Sequence, residues 1–263
     1  MRKFLLFVAL IFISSCNSNL SDKNTFLKTS DLPAGDNVKK SGNKLINQPY
    51  GFTKIISDSA KNEDALVVTV HGYESEGYEW VTSLRELANN YSNTHFYRYD
   101  WDICPDLLGQ NMADSLTKLI RNNSNINNVI IFGHSYGGLI VTYSASSMEI
   151  NVPIEIHTIA SPLAGYPRII DKCDLQYNNG DKLIYPLWDT NISHSQWRTQ
   201  KHQDGAFCDL DYDPQDIIFE NSNITLLPET LNGQRLGHNW SITWVINNYL
   251  EDSIKQNEKF RKK

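Results

Sequence analysis

The sequence predicts an α/β fold on two observations. Between residues 66 and 162, short β-branched runs alternate with segments of helical periodicity, and a Gly-x-Ser-x-Gly pentapeptide falls where one strand gives way to one helix. The chain has 263 residues with 40% hydrophobic content, enough for one sizeable domain with a real core.

The elements follow in order. LVVTV (66–70) is apolar and β-branched between the polar KNED and the turn HGY, which predicts a buried strand. From Tyr78 to Asn90, Trp80, Leu84, Leu87 and Ala88 fall at helical spacing, and THFYRYDW (94–101) then alternates as a strand does. Leu107, Leu108, Met112, Leu116, Leu119 and Ile120 give an amphipathic helix over 106–121, and the Asn-rich NNSNINN leads into the strand VIIF (129–132). GHSYGG follows at once, then the helical LIVTYSASSM and the strand-like EIHTIASP (155–162). Further on, SQWRTQ (195–200) and ITLLP (224–228) read as strands. LIYPLW (183–188) is strand-like too, but Pro186 cannot donate to a central ladder.

The stretch IFGHSYGG (131–138) has the form of a nucleophile elbow. Such an elbow needs a strand that presents the serine at its carboxyl end and a helix that begins immediately behind it. Gly133 and Gly137 allow a close backbone approach that a side chain would obstruct. The amino terminus of the helix then points its partial positive charge at a developing oxyanion.

VTVHGY, GHSYGG and the late GH of GHNWS together resemble an α/β hydrolase of the esterase/lipase type, over a catalytic domain of residues 49–252. The resemblance implies the α/β-hydrolase fold, a mostly parallel central sheet with helices on both faces, and a Ser, acid, His order along the chain. It implies a serine hydrolase that cleaves a carboxylic ester through an acyl-enzyme, on an ester or lipid-like small molecule, with no cofactor and no metal. Amide or thioester hydrolysis and acyl transfer use the same machinery, and an inactive binding module is the reading from a different class.

A serine hydroxyl needs a histidine to take its proton and a carboxylate to orient that histidine. Ser135 is the candidate nucleophile. His238, after the ITLLP strand and before a terminal helix, is the candidate base, whereas His71, His95, His134 and His157 sit in or beside strands and read as packed residues. The acid is Asp204, in an Asp-Gly turn after a strand, or Asp189, at the end of LIYPLW. The backbone N–H groups of Tyr73 and Tyr136 are the candidate oxyanion donors. Tyr185, Trp188 and Trp197 are expected as pocket walls.

Before the catalytic domain, Arg2 and Lys3 precede an apolar run from Phe4 to Ile13, which gives residues 1–15 the form of a signal peptide. Ile13, Ser14, Ser15 and Cys16 resemble a bacterial lipobox, with Cys16 as the lipidated residue, so the chain is expected to be anchored to a membrane of the cell envelope. Residues 16–48 are expected as a solvated tether and 253–263 as a charged tail. Without residues 1–15 the chain has 22 basic and 30 acidic residues, a formal charge of −8, which offers nothing to nucleic acid. Cys173 and Cys208 are expected either to pair or to stay as buried thiols. Asp209 to Glu220 approach a calcium-loop pattern but carry Pro214 at the position that needs glycine.

Overall fold

The computed structural model describes residues 25–178 and 182–261; the expected signal segment, residues 1–15, and Cys16 lie outside the described residues. The strands are β1 (Thr25–Lys28), β2 (Gly51–Ile56), β3 (Asn62–Val70), β4 (Tyr91–Arg98), β5 (Asn128–His134), β6 (Ile154–Ile159), β7 (Ile192–Arg198) and β8 (Ser222–Leu226). They form one sheet in the order β1-β2-β4-β3-β5-β6-β7-β8. The β2–β4 ladder is antiparallel and the others are parallel. A small hairpin pairs β9 (Thr230–Leu231) with β10 (Gln234–Arg235).

The sheet is covered on both faces, which is why its central strands are apolar nearly throughout. On β3, Leu66, Val68 and Val70 point into one core with Leu108, Met112 and Leu116 of α3 (Pro105–Arg121) and Leu139 and Ile140 of α4 (Tyr136–Ala145). Ala65 and Val67 point the other way, onto Trp80, Leu84 and Leu87 of α2 (Tyr78–Asn90) and Ile242, Val245 and Ile246 of α6 (Gly237–Arg261). This is the α/β-hydrolase arrangement expected from the sequence: a mostly parallel sheet between two helical layers. Among the described residues no helix is long and apolar enough to cross a membrane.

The expectation of a tether over 16–48 is corrected from residue 25 onward. β1 adds to the edge of the sheet, and α1 (Val38–Ile46) packs on α2, with Leu32 and Leu45 fully buried. Two contacts between segments hold this region: the Arg85 guanidinium donates to the carbonyls of Thr29 and Leu32, at 2.5 and 3.1 Å, and Gly42 lies against Tyr78 so closely that a Cβ would come 2.4 Å from the Tyr78 nitrogen. Apolar residues this sparse give no periodicity, and the order comes from tertiary contacts.

Through the charged tail expected at 253–263, α6 continues to Arg261. The cysteine pairing is corrected too: Cys173 bonds Cys104, with Cα atoms 5.7 Å apart, and Cys208 is free and exposed. The topology explains this choice. Cys104 caps α3 after β4, and Cys173 ends α5 (Pro167–Lys172) after β6, so both lie in connections leaving the carboxyl end of the sheet. The LIYPLW stretch forms no sheet strand; its Leu183 makes one isolated bridge to Tyr177.

Candidate active site

β5 delivers Ser135 at the carboxyl end of the sheet, and α4 starts at the next residue. Ser135 has φ 53° and ψ −123°, a left-handed conformation that an L-residue holds only when its surroundings enforce it, at about 1–3 kcal/mol. The surroundings here are visible. The Ser135 N–H donates to the Ile159 carbonyl at 2.9 Å, and the Gly138 N–H donates back to the Ser135 carbonyl at 2.9 Å. Gly137 packs directly on the end of β3, where a Cβ would come 2.4 and 2.5 Å from the His71 and Val70 carbonyl oxygens. A Cβ on Gly133 would meet the Gly137 carbonyl at 2.7 Å. The glycines of the motif are therefore required by close approach.

His238 enters from the other end of the chain, at the first turn of α6, after Gly237 with φ 55°. Its Nδ1 donates to Asp204 Oδ2 at 2.9 Å. Asp204 is fully buried, follows β7 through Thr199 and a short 3₁₀ turn (Lys201–Gln203), and has every visible partner donating to it. Thr199 Oγ1 lies 2.5 Å from the same Oδ2, and the Ala206 N–H donates to Oδ1 at 2.9 Å. With Nδ1 donating to a carboxylate, the Nε2 of a neutral His238 is unprotonated and free to accept a proton. Ser135 and His238 line one cavity of about 250 Å³.

Tyr73 and Tyr136 line that same cavity. The Tyr136 N–H is the first of α4, with no acceptor inside the helix, and the turn carrying Tyr73 is pressed onto the nucleophile: a Cβ on Gly72 would lie 3.1 Å from Ser135 Cβ. The wall also includes Trp101, Tyr166, Ile169, Cys173, Phe207 and the cationic Arg168 and Lys172.

The structure brings together Ser135, Asp204, His238, Tyr73 and Tyr136, and separates Asp189 from them. Asp189 precedes β7 and so stands at the amino end of the sheet, opposite Ser135. The expected wall aromatics are corrected too, since none of the three lines the cavity. Trp188 lies with Asp189 at the far end of the sheet, the Tyr185 hydroxyl donates to the Leu163 carbonyl at 2.9 Å, and Trp197 Nε1 donates to His157 Nδ1 at 3.2 Å.

Three further residues support the site, of which only Gln215 lies outside the hydrolase motifs read from the sequence. Gln215 Oε1 accepts from the Thr199 N–H at 2.9 Å and its Nε2 donates to the Thr199 carbonyl at 3.1 Å, which fixes the residue that in turn holds Asp204. His134, beside the nucleophile, donates from Nε2 to the His238 carbonyl at 3.2 Å. Burial, then the neighbouring His238, holds the His134 imidazole well below its ordinary value, so it adds no charge beside the base. His71, stacked on Tyr99 with centroids 4.2 Å apart, is pushed down to about 4 by burial and anchors the HGY turn by donating from Nδ1 to the Gly72 carbonyl at 2.8 Å.

No protein-family model matches the chain, and no curated protein does. Among solved structures it is similar to the Est1E protein of Butyrivibrio proteoclasticus (13% identity over 78% of this chain and 93% of that one, TM-score 0.47). It is also similar to a lipase-esterase related protein of Clostridium acetobutylicum (14%, 78% and 98%, TM-score 0.44) and to a carboxylesterase of Bacillus subtilis (9%, 81% and 94%, TM-score 0.44).

Proposed function

We propose that the chain is a serine hydrolase that cleaves a carboxylic ester through an acyl-enzyme. One observation carries this reading: a serine held at φ 53° on a strand-to-helix turn shares a cavity with a histidine whose far nitrogen is bonded to a fully buried aspartate. A structural turn needs neither the strained serine nor the buried carboxylate.

In the mechanism that follows, Ser135 Oγ attacks the ester carbonyl while its proton passes to His238 Nε2. Asp204 orients the ring and stabilises the imidazolium, and the Tyr73 and Tyr136 N–H groups receive the oxyanion. Collapse of the tetrahedral intermediate breaks the C–O bond, and the leaving alkoxide takes the proton from His238. Water repeats the sequence on the acyl-enzyme and releases the acid. All catalytic groups belong to the chain.

The same proposal places the enzyme in a bacterial cell envelope, lipid-anchored through Cys16. The Cys104–Cys173 bond supports export, since disulfides persist in oxidising compartments. The test is hydrolysis of p-nitrophenyl esters of graded chain length by the purified protein, with Ser135→Ala as control. Turnover lost in the variant supports the assignment; equal turnover in both refutes it, and so does failure of a fluorophosphonate probe to label the folded protein.

A further inference from the structure

The direction of β1 decides where an anchor at Cys16 pulls. Through the sheet register Thr25 aligns with Thr53, Phe96, Thr69 and then Phe132, three residues before the nucleophile. β1 and β2 run against β4, so the chain enters β1 from the carboxyl end of the parallel strands, the end at which Ser135 sits. Four strand spacings separate β1 from β5, about 19 Å. Because the folded body begins by residue 25, only residues 17–24 stand between it and Cys16, and that length spans at most about 30 Å. A tether of the length expected from composition would let that end of the sheet stand far from the anchor; this one keeps it within about 30 Å.

The same end carries an apolar rim. Of the twelve large apolar side chains exposed among the described residues, six leave the carboxyl end of the sheet: Tyr50, Ile103, Leu107, Ile170, Tyr212 and Trp240, each 39–61% exposed. Single exposed apolar residues mean little, but these six share the end of the sheet at which the cavity lies. Ile103 accepts a hydrogen bond from the Tyr136 hydroxyl at 2.7 Å, Ile170 follows the cavity residue Ile169, and Trp240 stands two positions after His238.

We propose that the face opening the Ser135 cavity is the face this protein turns to its membrane, and that its substrates are acyl esters resident in that bilayer. The proposal rests on the esterase reading and on lipidation of Cys16. The short lead into β1 holds the cavity mouth near the lipid surface, and the apolar rim inserts at the level of the headgroups as interfacial side chains do.

The test uses the full chain bound to vesicles of phosphatidylethanolamine and phosphatidylglycerol with brominated acyl chains. Trp240 is expected to be quenched, so Trp240→Phe reduces the quenched share of emission about twofold or more, while Trp188→Phe at the opposite end leaves it unchanged. Leu107→Glu is expected to lower turnover of a vesicle-embedded long-chain ester about fivefold, with dispersed p-nitrophenyl acetate hydrolysed as before. A quenched share unchanged by Trp240→Phe, quenching that tracks Trp188, or an unmodified Cys16 by mass spectrometry overturns the proposal. Hydrolysis of p-nitrophenyl acetate that persists in Ser135→Ala refutes the esterase reading separately.

Discussion

Asp204→Asn separates the orienting role of the acid from its role in packing. Asp204 meets three donors: His238 Nδ1 at 2.9 Å and Thr199 Oγ1 at 2.5 Å on Oδ2, and the Ala206 N–H at 2.9 Å on Oδ1. An asparagine has one acceptor oxygen and one NH₂ to set against them. If its oxygen faces His238, the NH₂ confronts the Ala206 N–H, a buried donor against a donor. If it flips, the oxygen accepts from Ala206 and the NH₂ donates to Thr199 Oγ1, whose own proton turns to Gln215 Oε1 at 3.1 Å. The flipped form satisfies every partner but one: it now donates to His238 Nδ1 and forces the ring proton onto Nε2.

That tautomer cannot accept the Ser135 proton. The expected loss is therefore about 10³–10⁴-fold in kcat, or about 4–5.5 kcal/mol of transition-state stabilisation, with the fold kept to within about 1–2 kcal/mol. The assay is p-nitrophenyl acetate turnover beside a urea unfolding curve, with Asp189→Asn as the control at the other end of the sheet. Folded Asp204→Asn that retains more than about a tenth of wild-type turnover refutes the assignment, and an Asp189→Asn loss of similar size transfers the role.

Other expectations follow from the same contacts. Gly137→Ala drives a methyl into the Val70 and His71 carbonyls, and is expected to cost about 2–3 kcal/mol in urea unfolding and to lower fluorophosphonate labelling in the fraction that stays folded. Reducing the Cys104–Cys173 bond, which closes a separation of 69 residues, is expected to cost about 4 kcal/mol in the chain-entropy limit, read as a Tm drop of roughly 10 °C. It should also raise KM more than it lowers kcat, because Cys173 and the α5 residues beside it form the cavity wall. Stability is expected to fall in acid: burial pushes His71 and His95 down to about 4 and His194 to about 3, so below the unfolded value of 6.5 the unfolded chain binds protons that the fold refuses. Their contribution is complete above pH 6.5 and is lost towards pH 4, by up to about 1.4 kcal/mol per pH unit for each, so His95→Gln should flatten the fall in the urea midpoint between pH 7 and 5.

What was legible in the sequence is what depends on neighbours along the chain. The elbow is local: its handedness, its glycines and the helix behind it fall within IFGHSYGG, and the site forms there. The partners of that elbow are legible only as far as each sits in its own local signal, Asp204 in an Asp-Gly turn and His238 before a helix. Thr199, Gln215 and His134 act through contacts that no spacing announces. The same holds for the cysteine pairing, for the Arg85 contacts that fix residues 29–32, and for the six-residue α5, whose Arg168 and Lys172 form a wall that aromatic content alone assigned to Trp188 and Tyr185.

One ambiguity, between Asp204 and Asp189, yields to topology alone. In a parallel sheet the residues that can meet a nucleophile at a strand's carboxyl end are those that leave the carboxyl ends of other strands. Asp189 stands three residues before the strand that begins at Ile192, and Asp204 six residues after that strand ends at Arg198, so the position of β7 alone puts the two aspartates at opposite ends of the sheet. The strand here is SQWRTQ and not LIYPLW, and Pro186 decides between them, since a proline inside the run removes a donor that a central ladder needs. The polarity of β1 has no such local witness: its four residues, TFLK, join the sheet edge beside β2, with Thr25 opposite Thr53, and only the assembled register shows that the chain enters β1 at the end of the sheet that holds the cavity.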